Sequence, residues 1–180
     1  MTPIPALGLI ATIGPDQIIG IDRKLPWKLP ANQKRFKELT AGGTVVMGRV
    51  TWESLPRPLE GCKVVVVSRN KKSYLKTRHS PSACLWEHDL THALVRALKM
   101  GNPVWVAGGA SIYEQTISSV DFLEITFVNR KIDIDTNREE LLPMAYFPAI
   151  PDKFRLVNEE QNKEDPSLRH CMFTRADRST

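Results

Sequence analysis

Val104-Trp105-Val106-Ala107-Gly108-Gly109-Ala110-Ser111-Ile112-Tyr113 reads as a short buried strand running into two glycines that open a helix. Glycines at such a junction let backbone amides approach a phosphate closely. A Gly-Gly pair alone serves equally well as a plain helix-entry turn, so its neighbours must decide. Met47-Gly48-Arg49-Val50-Thr51-Trp52 repeats the layout, with an Arg and a Thr suited to phosphate. Val64 to Val67, followed by Ser68-Arg69, puts two more polar groups at a strand's carboxyl end, where α/β sheets bind ligands. Three strand ends of this kind favour a dinucleotide. The chain has no G-x-G-x-x-G, so it departs from the usual Rossmann fingerprint.

Working outward, Leu7 to Ile13 is a buried-strand pattern broken by Gly14-Pro15-Asp16. A loop is expected from there to Trp27. Pro30 suits a first helical turn, and Phe36 and Leu39 mark the apolar stripe of a helix over 31–39. Strands are expected over 44–47, 63–68, 83–86, 103–107 and 121–129. Helices are expected over 51–55, 90–100 (capped by Asp89) and 110–117, with a polar loop over 69–82. Two antiparallel strands are expected around the Asp165-Pro166 turn. Strands alternating with helices imply a largely parallel sheet covered on both faces, in one domain over 1–180.

The bulk properties agree. The chain has 180 residues, 42% hydrophobic and 25% charged, which fits one globular domain. Its net charge of +5 could serve a nucleic acid, but the Lys and Arg residues are scattered and no basic run is interleaved with aromatics. A phosphate-rich small ligand explains the charge as well. There is no long apolar run, and the start reads as a first strand, not a signal peptide. Cys62, Cys84 and Cys171 lack C-x-x-C spacing and read as free thiols of a reduced cytosol, with no metal site.

The order of motifs is itself informative. Ile19-Gly20, Leu25-Pro26-Trp27-x-Leu29-Pro30, Phe36-Lys37-x-x-Thr40, Met47-Gly48-Arg49-x-Thr51-Trp52-Glu53-Ser54, Arg57-Pro58-Leu59, Val67-Ser68-Arg69 and Gly108-Gly109-x-x-Ile112-Tyr113 follow one another at set intervals. In order and spacing they resemble the dihydrofolate reductases, closely over residues 7–136 and loosely beyond. The resemblance implies a three-layer α/β/α fold with a central eight-stranded, mostly parallel mixed sheet, about four helices and an antiparallel C-terminal hairpin. It implies an NADPH-dependent reductase that transfers a hydride to C6 of a 7,8-dihydropterin while N5 gains a proton. It also implies a cytoplasmic monomer whose partner is a small molecule, not a nucleic acid or a membrane.

Carried over residue by residue, the cofactor side would be formed by Ala11, Thr12, Ile19, Gly20, Gly48, Arg49, Val50, Thr51, Ser68, Arg69, Ala107, Gly108, Gly109, Ser111, Ile112 and Tyr113. Arg49 and Arg69 would grip the 2′-phosphate and so select NADPH. Gly108-Gly109 resembles a pair joined by a cis peptide. The stretch from Gly14 to Trp27 resembles a mobile lid, with Ile19 and Leu25 shielding the nicotinamide and Trp27 orienting a water. The substrate cleft would be walled by Ile10, Ala11, Gln33, Phe36, Ser54, Leu55 and Leu59. Asn32, Trp27, Leu25, Thr126 and Tyr113 would serve the chemistry, with Thr126 bonded to the group that holds the pterin edge.

Three positions depart from the family pattern, all on the substrate side. Asn32 stands where the family has a carboxylate, Cys62 where it has an Arg that clamps the glutamate of folate, and Gln33 where it has an apolar residue. A cysteine offers no bidentate fork, and Glu60 beside it would repel a carboxylate. These departures favour a dihydropterin without a glutamate tail, such as dihydromethanopterin. A dihydrofolate reductase with an altered pocket, using Lys37 or Arg57 for the carboxylates, and an NADPH-binding pseudoenzyme or sensor remain alternatives. So does a pyrimidine reductase of the riboflavin pathway, which shares the fold. Asn137 to Tyr146 reads as a surface insertion.

Overall fold

The computed structural model describes residues 6–70, 84–132 and 142–176. Its main sheet has eight strands in the order β5-β4-β3-β6-β1-β7-β10-β9. β1 (Leu7–Ile13), β3 (Thr44–Gly48), β4 (Lys63–Val67), β5 (Cys84–Glu87), β6 (Val104–Val106) and β7 (Phe122–Val128) pair in parallel. β9 (Phe154–Gln161) and β10 (Leu168–Arg175) close the sheet antiparallel against β7. The helices are α1 (Pro30–Thr40), α2 (Arg49–Ser54), α3 (Leu90–Met100) and α4 (Ala110–Thr116).

The alternation of side chains along the valine strand explains the layers. Val64 and Val66 pack with Trp52, Trp105 and Ile10, and with Phe36 and Leu39 of α1. Val65, on the opposite face, packs with Val46, Val104 and the small residues Ala93 and Ala97 of α3. All three valines are fully buried, each worth about 1.5–3 kcal/mol in apolar transfer. α4 shares the α3 face, where Ile112 and Tyr113 meet Leu9, Ala11, Ile13 and Val106. β1 is buried on both faces, which is why LGLIATI is almost continuously apolar. A Cβ at its Gly8 would lie 2.5 Å from the Phe122 ring, so any larger residue there would force that ring to move.

Asp89 caps α3, accepting from His92 N–H at 3.0 Å, as its sequence position implies. The expected loop from Gly14 to Trp27 holds more order than its composition indicates. A 3-10 turn (Pro15–Gln17) leads into β2 (Ile18–Ile21), which pairs antiparallel with β8 (Met144–Tyr146) as a separate two-stranded sheet. The described end of the expected surface insertion therefore backs the lid segment. Most of the polar loop over 69–82, Ala83 of the fifth strand and residues 137–141 lie outside the described residues. Among the described residues, no helix is long and apolar enough to cross a membrane.

Candidate active site

The carboxyl ends of β4, β3 and β6 lie side by side, since these strands are neighbours and parallel. This brings the three sequence motifs together. Gly48 N–H donates to the Gly108 carbonyl at 2.7 Å, tying the second motif to the first. The Gly108–Gly109 peptide is cis, as the resemblance implies. Gly108 has φ +93°, and a Cβ there would lie 2.9 Å from the Tyr113 ring. A Cβ on Gly109 would meet Thr51 Oγ1 at 3.2 Å. The two glycine turns thus form one cradle of bare backbone, with no room for a side chain at Gly108 and little at Gly109.

Polar groups surround that cradle. Thr51 is half-buried beside Gly109, and Ser68 is buried at the end of β4, its Oγ accepting from Asn70 N–H at 3.2 Å. Arg49 is half-buried and ion-paired with Glu53 at 2.6 Å, while Arg69 and Val50 are exposed. Ser111 is exposed, its hydroxyl accepting from Gln115. Ile112 packs within reach of Gly48, and Ala107 is half-buried at the strand end. Tyr113 Oη donates to the Ile10 carbonyl at 2.7 Å, and burial pushes the phenol's pKa up, so it stays protonated.

The segment expected to act as a lid packs around Trp27 and β8. Gly14 is buried against Trp27, whose ring fills the place of a Cβ. Trp27 Nε1 is buried without a hydrogen-bond partner among the described residues. Ile19 packs half-buried on the main core, Gly20 lies against Ala145 of β8, and Leu25 is 54% exposed.

The first turn of α1 reaches the end of β1. Asn32 Nδ2 donates to Thr12 Oγ1 at 2.7 Å, which places Thr12 on the Asn32 side of the site. Thr12 stands opposite Thr126 in the β1–β7 register, and Thr126 Oγ1 is 2.9 Å from His170 Nδ1 on β10. Ile10, Phe36, Leu55, Leu59 and Cys62 gather in one apolar cluster beside these groups. Gln33 and Ser54 are exposed, Ser54 donating to the Thr51 carbonyl at 2.7 Å. Cys62 is half-buried, and desolvation raises its thiol pKa. Lys37, weighed as an alternative carboxylate clamp, is exposed and paired with Glu60 at 3.3 Å.

Sequence reasoning named groups that the fold gathers at the three strand ends and beside α1, but it also named Ala11, which packs in the core with Ile112 of α4. It missed His170 and its partner Asn162, 3.0 Å from His170 Nε2. A lone histidine in a polar C-terminal strand carries no signal of its own. Only the register of β10 on β7, which puts His170 opposite Thr126, exposes it.

Comparison with known proteins supplies the last piece. The family model described as Dihydrofolate reductase matches residues 6–178. Dihydrofolate reductase type 3 of Salmonella typhimurium is 33% identical over 141 residues, covering 78% of this chain and 82% of that protein. The dihydrofolate reductase of Buchnera aphidicola is 32% identical over 162 residues, covering 89% and 92%. Among solved structures, the Enterococcus faecalis dihydrofolate reductase complexed with NADP(H) and RAB-propyl superposes with a TM-score of 0.78 at 25% identity, covering 96% and 97%. With that family model matched over residues 6–178 and two such relatives above 30% identity, this chain belongs to the dihydrofolate reductase family.

Proposed function

We propose that this chain is an NADPH-dependent reductase of 7,8-dihydropterins. The observation that carries this reading is the convergence of the bare Gly48/Gly108/Gly109 cradle with the Asn32–Thr12 and Thr126–His170 pairs on one edge of the sheet. The cradle suits a dinucleotide phosphate, since Gly108 and Gly109 present bare backbone where a Cβ would crowd Tyr113 or Thr51. Arg49, Thr51, Ser68 and Arg69 would hold the phosphates, Arg49 exchanging Glu53 for a stronger anion. NADPH would supply a hydride for C6 of the dihydropterin.

The protein's own residues do the rest. Phe36, Leu55 and Leu59, which cluster with Ile10, would wall the apolar side of the substrate cleft. Asn32, its amide nitrogen committed to Thr12, presents Oδ1 as an acceptor for a pterin N–H. It carries no proton to give, so the proton for N5 must come from water. The unpartnered Trp27 indole N–H, beside the lid, is the group suited to hold that water.

The relatives are named for dihydrofolate. Two features favour a dihydropterin without a glutamate tail, such as dihydromethanopterin, as a second reading. Cys62 is an uncharged, half-buried thiol in the apolar cluster, and Lys37 already pairs with Glu60. NADPH consumption by the purified chain, with dihydrofolate and dihydromethanopterin side by side, tests both readings. Faster turnover of dihydromethanopterin makes Asn32 and Cys62 specificity changes. Equal or faster turnover of dihydrofolate makes this a dihydrofolate reductase with an altered pocket. No turnover of either, with NADPH bound tightly, refutes the reductase reading in favour of a sensor.

A further inference from the structure

The family's carboxylate is absent at Asn32, yet a buried titratable group lies one hydrogen bond from Thr126. His170 is 4% exposed and has polar partners on both ring nitrogens. Which nitrogen carries the proton follows from Asn162. The Asn162 Oδ1 accepts two backbone N–H groups, from Glu164 at 2.9 Å and from Asp165 at 2.8 Å. That fixes the amide's orientation, so its NH2 faces His170 Nε2 at 3.0 Å. An NH2 group only donates, so Nε2 must accept. A neutral imidazole has one N–H, which therefore sits on Nδ1 and donates to Thr126 Oγ1 at 2.9 Å. The hydroxyl proton of Thr126 is then left for a partner on the cleft side, where Thr12 and Asn32 lie.

We propose that His170, held by Asn162 as its Nδ1–H tautomer, is a positioning residue that makes the Thr126 hydroxyl a hydrogen-bond donor toward the dihydropterin. The proposal rests on the reductase reading above. The edge facing the pterin changes character accordingly. A carboxylate would offer acceptors only. Asn32 Oδ1 and the Thr126 hydroxyl offer one acceptor and one donor, both neutral. A pterin's pyrimidine edge alternates ring N–H or amino donors with ring N or carbonyl acceptors, so it can pair with such an edge without charge.

The same geometry sets a pH dependence. A second proton on Nε2 would face the Asn162 NH2, and Asn162 can turn only by giving up two backbone hydrogen bonds. The surrounding charges are mixed. Arg35 of α1 opposes protonation of His170 and pairs with Glu124 of β7 at 3.0 Å, while Glu160 of β9 favours it. Lys34 and Glu164 pair at 3.0 Å, and Glu38 and Lys163 complete the rim of a polar cavity of about 220 Å³ that reaches His170. Burial of the ring is the largest influence and disfavours the imidazolium. Acidification would therefore loosen Thr126 and give the enzyme an acid limb that Asn32 cannot supply.

Two measurements test this. Long-range proton–nitrogen NMR of the histidine rings in the substrate-free protein at neutral pH should show His170 protonated at Nδ1 and bare at Nε2. An Nε2–H tautomer or an imidazolium overturns the proposal and needs no turnover to do so. The pH profiles of kcat/KM for dihydropterin are then compared among wild type, His170→Ala and His170→Asn. His170→Ala should lose about tenfold, chiefly in KM for the dihydropterin, with NADPH affinity unchanged. His170→Asn, which keeps a donor near the Nδ1 position but cannot titrate, should recover most of that loss and show a flatter acid limb. An acid limb identical in wild type and His170→Asn overturns the proposal. Failure of every form to turn over refutes the reductase reading, while the NMR result still decides the tautomer.

Discussion

On the proposed reductase reading Asn32 faces the pterin edge, and Thr12 shows how a carboxylate would be accommodated there. The Thr12 hydroxyl now accepts from Asn32 Nδ2, and a hydroxyl rotates to donate as easily as it accepts. Asn32→Asp therefore needs no backbone change. A charge-assisted hydrogen bond is worth about 1.5–3 kcal/mol against about 0.5–1.5 for a neutral one. The variant should gain roughly tenfold to a hundredfold in kcat/KM for dihydropterin, and its kcat profile should acquire a carboxylate-like acid limb. An unchanged profile would mean that Asn32 does not touch the substrate. Cys62→Arg is the matching test at the other end of the cleft. A guanidinium there binds a carboxylate through two parallel hydrogen bonds. The KM for dihydrofolate should fall by roughly tenfold while that for a tail without carboxylates stays put. A dihydrofolate KM that does not move would show that the missing clamp is not what separates substrates.

At the scale of elements, legibility in sequence followed how local each pairing is. The valines of β4 declare a buried strand by composition, and Gly108-Gly109 declares the β6–α4 junction by position. Asp89 declares the start of α3 by its side chain. β2 and β8 declare nothing, because four residues and three residues are too short for a period and their partner lies far along the chain. The site divides the same way. The cradle sits within contiguous motifs and was readable. The Asn32–Thr12 and Thr126–His170 bonds depend on helix placement and strand register, which no local pattern encodes. The β2–β8 pair also carries a prediction of its own. It joins Gly20 to Ala145 and Ile21 to Met144, and Asp22 N–H donates to the Pro143 carbonyl at 2.9 Å. Ala145→Pro should break this small sheet and leave the main one intact. Hydrogen exchange at Ile18–Ile21 should quicken at least about tenfold, with β1 and β6 unchanged, since local opening is separable from global unfolding. Unchanged exchange at Ile18–Ile21 would mean that the lid is ordered by Trp27 and Gly14 alone.

For the whole molecule, titratable groups held neutral inside the fold set its stability against pH. Burial lowers the His170 pKa and raises those of Cys62 and Cys171, and it pushes the Cys84 thiol up to about 11. On the acid side, the unfolded chain takes up a proton at His170 near pH 6.5 while the folded chain resists it. The unfolded state then holds more protons, so stability falls as the pH drops below that point. On the alkaline side the sign reverses. The unfolded thiols lose their protons above about pH 8.5, and the folded chain keeps them, Cys84 as far as about 11. The folded state now holds more protons, so stability falls as the pH rises through this window. Thermal melting should therefore be flattest between roughly pH 6.5 and 8.5. Asp89 and Asp165 are held below the ordinary carboxylate range by their hydrogen bonds, so their contribution is lost only at lower pH and does not mimic the His170 step. Cys84→Ala should flatten the alkaline side and His170→Asn the acid side, each leaving the other side as it was. If both variants kept the wild-type slopes, these stability limits would have to come from the other buried thiols, Cys62 and Cys171, or from ion pairs such as Arg96–Glu87 and Arg130–Asp165.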